Sequence, residues 1–263
     1  MDFTNYSKEE TYQKLINLAK RDKNIIGFIL NGSRGKGFGN HDSDYDCTII
    51  VKNDILEEYE EKFLNLPDGI ELRVFSIESF SRHAKWGSDE AWDRYNWAHL
   101  KATVDKTNGK IQELIDEKGH IPAECVEEFI NSSLDYYINQ VYRSIKCLRE
   151  GKMFCYRLEA AESITPLLNA LFALHDNRLR PYYKYIQWEL KKFPLYKLPW
   201  SGREFLQMIM KILKDAGYVN QQEILKEVKK IFCSAGYDQV FISWEGKDEW
   251  AITFHPSKIN SPS

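Results

Sequence analysis

Two aspartates at the start of an apolar segment are the residues whose spacing most clearly suggests chemistry. Asp44 and Asp46 lie two residues apart where a predicted strand, Tyr45–Val51, begins. Alternate residues of a strand face the same side, with Cα atoms roughly 7 Å apart. Two carboxylates so placed are costly unless a positive charge lies between them. Mg²⁺ meets that need, because it takes oxygen ligands and is commonly held by one or two carboxylates together with substrate phosphates.

A glycine-rich segment, Gly32–His41, comes just before these aspartates and follows another predicted strand, Ile25–Leu30. It is not a P-loop, because Phe38 and Gly39 stand where that motif needs Lys and Ser or Thr. The dinucleotide fingerprint G-x-G-x-x-G is broken at Asn40. Neither common glycine-rich motif therefore explains the segment.

What remains is a Gly-Ser turn whose residues suit phosphate binding. Gly32 lets the backbone turn closely, and Ser33 offers a hydroxyl and a backbone N–H to a phosphate oxygen. Arg34 and Lys36 can neutralise the charge of a triphosphate, unless they are simply exposed loop charges. With the two aspartates, this pattern predicts metal-assisted nucleotidyl transfer, in which two metal ions clamp the attacking and leaving oxygens.

Gly32-Ser33 followed by Asp44-x-Asp46 resembles the signature of the nucleotidyltransferase superfamily that includes DNA polymerase β. It is most similar to the branch that modifies aminoglycoside and lincosamide antibiotics. The resemblance implies a third metal-binding carboxylate on a later strand. Glu71, flanked by apolar residues, fits that position, although the family more often has aspartate there.

The resemblance also implies an activity. Asp44, Asp46 and Glu71 would hold Mg²⁺, and the turn at Gly32 and Ser33 would bind the triphosphate of an NTP, with ATP the first choice. AMP would pass to a hydroxyl of a small molecule, such as an antibiotic, which would make the chain a resistance enzyme. Two alternatives stay open: AMP transfer to a protein or RNA, and a non-catalytic nucleotide-binding module.

A general base and a phosphate-binding lysine are expected outside the motif. Glu159 and Glu162 lie one turn apart on a predicted helix, Met153–His175, and share a face. Either of them is a candidate base, and so is Glu71 if it is not a metal ligand. The segment RPYYK, which ends at Lys184, resembles a part of the family's helical domains where a lysine reaches the phosphates. Solvated surface positions are the alternative for all of these side chains.

The predicted fold class is α+β, with two domains. Residues 1–120 are expected to form the α/β catalytic domain with a mixed sheet, and residues 121–263 a bundle of α-helices. The boundary is placed where composition shifts, near Gly119–Pro122. Phe241–Phe254 fits either a hairpin or a helix. The aromatic segment Trp86–Trp97 is interpreted either as an acceptor site, with Asp93 among the acids meeting a cationic ligand, or as packing at the domain junction.

Composition limits the partners. The net charge of −3 argues against binding long nucleic acid. The five cysteines form no C-x-x-C pair, which indicates a reducing cytoplasm. The polar N-terminal segment is not typical of a signal peptide, and no apolar run is long enough to span a membrane. The expected partners are an NTP and a small-molecule acceptor, and the sequence leaves a homodimer open.

Overall fold

The computed structural model describes Phe3 and residues 5–256. The chain divides into two compact units, Met1–Pro122 and Ala123–Ser263. The first unit contains a mixed sheet with helices, and the second is helical, so the chain has the α+β fold class that the sequence predicts. Residues 1, 2, 4 and 257–263, which fall within the two predicted domains, lie outside the described residues.

The sheet of the first unit has four strands in the order β3-β2-β1-β4. These are β1 (Ile25–Leu30), β2 (Tyr45–Val51), β3 (Ile70–Ser76) and β4 (Ala102–Asp105). β1 is antiparallel to both β2 and β4, whereas β2 and β3 are parallel. The end of β1 therefore lies at the same edge of the sheet as the beginnings of β2 and β3.

The helices of the first unit connect and cover these strands. The first helix begins at a capping box, in which the Glu10 carboxylate accepts from the Ser7 N–H at 2.9 Å and the Ser7 hydroxyl accepts from the Glu10 N–H at 3.3 Å. The helices are α1 (Lys8–Arg21), α2 (Gly32–Gly35), α3 (Leu56–Lys62), α4 (Ile77–Arg82), α5 (Arg94–Trp97) and α6 (Lys110–Lys118), with 3₁₀ turns at Asn53–Ile55 and Ala91–Asp93.

Alternation along the strands separates two apolar cores. Tyr45, Cys47 and Ile49 belong to one core with residues of α1 and α3. Ile50 points the other way and packs in a second core with Trp97 and residues of α4 and α6. Burial, together with the nearby Asp46 carboxylate, raises the pKa of the Cys47 thiol to about 12. Cys47 is therefore a protonated core residue beside the candidate site.

The second unit is built from helices, and one prediction for it is wrong. The expected helix Met153–His175 is two helices that meet at Ser163. Pro166 explains the break, because it has no N–H to donate to the Glu162 carbonyl and its ring crowds that group. The helices are α7 (Val126–Arg149), α8 (Met153–Glu162), α9 (Ile164–Leu174), α10 (Ile186–Lys192), α11 (Gly202–Asp215), α12 (Tyr218–Ser234), α13 (Asp238–Ile242) and α14 (Lys247–Thr253), with 3₁₀ turns at Ala123–Cys125 and Tyr183–Tyr185.

The segment that the sequence left undecided, Phe241–Phe254, contains helix α14 and the end of α13. In the described part of the chain, none of the helices has the length and apolar character needed to cross a bilayer.

Candidate active site

The Gly-Ser turn, Asp46 and Glu71 lie side by side at one edge of the sheet. The backbone N–H of Asn31, just after β1, donates to the Asp46 carbonyl at 2.7 Å. On its other side, Asp46 is paired with Glu71 in the parallel register of β2 and β3. Paired residues on neighbouring strands point to the same face. The tertiary structure thus brings the predicted third carboxylate next to the second.

Position 32 requires glycine for two reasons: the backbone conformation of the turn and the close approach of the Asp46 carboxylate. Its φ is +59°, in the left-handed region. A Cβ at this position would lie 1.8 Å from Asp46 Oδ2, which no real side chain could tolerate. Because Gly32 has no side chain, the Asp46 carboxylate can pack directly against the turn.

Ser33 closes the turn with its backbone. Its carbonyl accepts from the N–H groups of Phe38 and Gly39, both at 3.0 Å. Its hydroxyl has no hydrogen-bond partner among the residues that the structure describes. The predicted phosphate-binding hydroxyl is therefore not committed to an internal contact.

Asp44 and Glu71 are exposed and carry unpaired charges. Asp44 Oδ1 lies 3.4 Å from the position that a Cβ on Gly69 would take. Within Phe3 and residues 5–256, neither carboxylate forms an ion pair or a hydrogen bond. Both stand beside Asp46, Glu71 through the strand register and Asp44 two residues earlier in the chain.

The donor chemistry of this edge fits Mg²⁺. Asp44, Asp46 and Glu71 supply the hard oxygen ligands that this ion prefers, and it usually takes only one or two carboxylates, with water and phosphate oxygens completing the shell. In the described part of the chain, no three His, Cys, Asp or Glu side chains converge into a ready metal cluster.

Arg34 lies in α2, within the glycine-rich segment, and its role as a triphosphate ligand stays a prediction. Its Nε donates to the Ser43 carbonyl at 3.0 Å, and Nη2 to the His41 carbonyl at 3.4 Å. The guanidinium carbon lies 4.0 Å from the centre of the Tyr45 ring. These contacts hold the guanidinium against the segment that leads into Asp44.

Lys36 does not fit the phosphate-binding role predicted for it. It is 7% exposed. Its ammonium donates to the carbonyls of Tyr95 at 3.2 Å and Asn96 at 3.4 Å, and also to that of Ala98. A buried ammonium needs such partners because desolvation is costly. Lys36 thus ties the loop to the end of α5, a role that sequence spacing alone could not reveal.

Asn31 is a neighbouring residue that sequence reasoning missed. It is 1% exposed, and its Oδ1 accepts from the Thr48 hydroxyl at 2.8 Å. Its Nδ2 is buried without a hydrogen-bond partner among the described residues. Its position directly before Gly32 was the available signal. The Thr48 contact links the start of the turn to β2.

The aromatic segment does not place Asp93 on an acceptor surface. Asp93 is 4% exposed, and its Oδ2 lies 2.8 Å from both Arg73 Nη1 and His83 Nε2. Burial favours a higher pKa for Asp93, but the His83 hydrogen bond and the Arg73 charge outweigh it, and the pKa is lowered. Glu90 also contacts His83, at 3.1 Å. These charges stabilise the segment internally.

The candidate bases of the helical unit already have partners. Glu159 accepts from Gln140 at 2.9 Å and pairs with Arg143 at 2.6 Å. Glu162 is exposed and accepts from the Tyr136 hydroxyl at 2.8 Å.

Lys184 is exposed in the 3₁₀ turn Tyr183–Tyr185. Its ammonium lies 4.8 Å from the centre of the Tyr185 ring. The roles of Glu159, Glu162 and Lys184 in the reaction stay predictions.

Comparison with known proteins does not assign this chain to a family. No protein-family model matches the chain, and no curated protein matches it. Among solved structures, the chain is similar to a nucleotidyltransferase-like protein from Exiguobacterium sibiricum, with 10% sequence identity and a TM-score of 0.39. That similarity covers 93% of this chain and 78% of the other. At this identity and TM-score, it supports no conclusion about activity.

Proposed function

We propose that this chain is a Mg²⁺-dependent nucleotidyltransferase that moves AMP from ATP to a hydroxyl of a small molecule. An aminoglycoside or lincosamide antibiotic is the first acceptor to test. The proposal is supported above all by one observation: the turn at Gly32 lies against the Asp46 carboxylate, and Asp46 is paired with Glu71 on the neighbouring strand.

Each part has a task in such a transfer. Asp44, Asp46 and Glu71 would hold the metal, which when bound neutralises phosphate charge and orients the reacting oxygens. The Ser33 hydroxyl would donate to a phosphate oxygen. The acceptor oxygen bonds to the α-phosphorus, the bond from that phosphorus to the bridging oxygen breaks, and pyrophosphate leaves with the electron pair. Positioning and charge stabilisation lower the barrier.

The acceptor hydroxyl must lose its proton as the new bond forms. Glu71 is a candidate base only if Asp44 and Asp46 hold the metal without it; its carboxylate is exposed and unpaired in the described chain, at the same edge as Asp46. Glu159 and Glu162 are the alternatives from the sequence.

The test replaces Asp44 and Asp46 singly by Asn and measures pyrophosphate release with Mg²⁺, a set of NTPs and a panel of antibiotics. Each change removes one metal-binding charge and keeps the size of the side chain. We expect pyrophosphate release to fall about 100-fold or more, the effect of removing a charge-stabilising group from an active site. Asp42→Asn is the matched control, because Asp42 lies in the same loop with a 93% exposed side chain.

Binding assays separate the alternatives. A wild-type chain that binds no Mg·NTP would rule out the proposal. Binding of Mg·NTP without pyrophosphate release in the presence of any acceptor, including protein and RNA, would favour the non-catalytic module. Label from α-labelled ATP on protein or RNA, with none on the antibiotics, would replace only the acceptor class.

A further inference from the structure

Two cations, Lys8 of α1 and Arg34 of α2, donate to the same two carbonyl oxygens, those of His41 and Ser43, where the glycine-rich segment leads into Asp44. Lys8, the first residue of α1, donates from Nζ to the His41 carbonyl at 2.9 Å and to the Ser43 carbonyl at 3.1 Å. Arg34 donates to the same oxygens at 3.4 and 3.0 Å. The loop is thus held where it leads into Asp44.

The shared oxygens bring two positive charges close together. Because each nitrogen lies about 3 Å from the Ser43 carbonyl oxygen, Lys8 Nζ and Arg34 Nε are within about 6 Å of each other. Neither cation forms an ion pair with a carboxylate in the described part of the chain. Carbonyl oxygens stabilise a cation but carry no full charge, so the pair keeps a net charge that an anion would neutralise.

Both cations also retain hydrogen-bond donors. Lys8 donates two hydrogen bonds and has three N–H groups, and Arg34 donates two and has five. The remaining donors have no partner among the described residues. The Tyr45 ring, 4.0 Å from the guanidinium carbon, orients the Arg34 plane. Phosphate and carboxylate oxygens are the acceptors that match such charged donors, and the proposed nucleotide supplies phosphate.

The position of Lys8 connects this pair to the acidic edge. The Lys8 Cδ lies 2.9 Å, and Asp44 Oδ1 3.4 Å, from the position that a Cβ on Gly69 would take. The stem of Lys8 and the Asp44 carboxylate therefore border the same glycine. An anion on the Lys8–Arg34 pair would therefore bind where the chain leads into Asp44.

We infer that Lys8 and Arg34 form a polyphosphate-binding pair that takes the terminal phosphates of the nucleotide. The identity of the ligand as an NTP rests on the proposed function, whereas the anion site rests on the geometry of the loop. Lys8 is 33 residues from His41 along the chain, so no motif search would associate it with the turn.

The test compares three ligands by isothermal titration calorimetry: inorganic tripolyphosphate, Mg·ATP and AMP. Lys8→Gln removes one charge of the pair and should weaken tripolyphosphate and Mg·ATP about 10- to 100-fold. AMP, which lacks the terminal phosphates, should bind with unchanged affinity. Lys8→Arg should recover most of the loss. Lys14→Gln is the matched control on the same helix, because Lys14 is exposed and lies over the Tyr6 ring instead of the loop.

Each outcome decides one question. If Lys8→Gln binds tripolyphosphate with unchanged affinity, or if the wild type does not bind tripolyphosphate, Lys8 and Arg34 are not a polyphosphate-binding pair. An equal loss for Mg·ATP and AMP, with a lower melting temperature, would show that Lys8 only supports the loop. Tripolyphosphate binding that depends on Lys8, with no Mg·ATP binding, would keep the anion site and refute the proposed function.

Discussion

The two units of this protein use their carboxylates differently. At the sheet edge of the first unit, Asp44 and Glu71 have no partner among the described residues. In the helical unit, Glu159 is held by Gln140 and Arg143. Glu189, which is fully buried, pairs with Arg178 at 2.6 Å.

Burial and topology explain this difference. A buried carboxylate is costly unless a cation or hydrogen-bond donors compensate for lost water, so buried Glu189 is paired with Arg178, as buried Asp93 of the first unit is with Arg73. The acids at the end of the sheet remain solvated and can therefore receive a ligand. An acid on a helix face is thus weak grounds for catalysis, whereas exposed acids that strand register brings to the same end of a sheet are stronger grounds.

The largest expected effect comes from the turn. Gly32→Ala should reduce pyrophosphate release about 100-fold or more, because the new methyl group would displace the Asp46 carboxylate, 1.8 Å away. Gly37→Ala is the control, because Gly37 also has a positive φ, of +81°, but nothing within 4 Å of its Cβ position. It should show only backbone strain, about 1–2 kcal/mol in the free energy of unfolding. Equal activity of the two variants would show that the turn at Gly32 is not part of the active site.

A smaller effect, on stability alone, is expected from His175 in the helical unit. Its Nδ1 contacts the Leu171 carbonyl at 2.6 Å, and its Nε2 accepts from the Lys197 N–H at 3.0 Å. Burial lowers the pKa of His175, against a weaker opposing effect of the Leu171 hydrogen bond. Below pH ~6.5, the unfolded chain binds the proton more readily than the folded chain. Stability should therefore be complete above that pH and fall as pH is lowered towards the folded pKa.

Urea unfolding of the full chain between pH 7.5 and 5.5 measures this loss, which should not exceed about 1.4 kcal/mol per pH unit for one group. His175→Gln should flatten that part of the pH profile. The exposed His255, replaced by Gln, should leave it unchanged. The same pH slope in His175→Gln as in the wild type would show that another group is responsible.

The smallest effect is expected for Glu159→Gln. The change removes the ion pair with Arg143, whose side chain is 54% exposed, so it should cost no more than about 1 kcal/mol in the free energy of unfolding. Pyrophosphate release and its pH profile should be unchanged. A fall of about 100-fold in kcat, with stability retained, would instead identify Glu159 as the general base. It would also contradict the conclusion that the paired acids of the helical unit are structural.

Local elements were predictable because their signals are local. The capping box at Ser7 and Glu10 marked the start of α1, and alternation along Ile70–Ser76 placed Glu71 and Arg73 on one face. The break at Ser163 was also in the sequence, as Pro166, but the continuous apolar pattern around it concealed the break.

By itself, the sequence determined the strands, the turn at Gly32 and the chemical types of Asp44 and Asp46. Only the tertiary structure decided which residues join them: the parallel register brings Glu71 beside Asp46, and α1 carries Lys8 to the loop, while Lys36 turns inward. The physical reason is that periodicity and capping depend on neighbours in the chain, whereas strand register and burial depend on segments far apart in sequence. The residue types of the candidate site were thus readable in the sequence, and the residues that lie beside them were not.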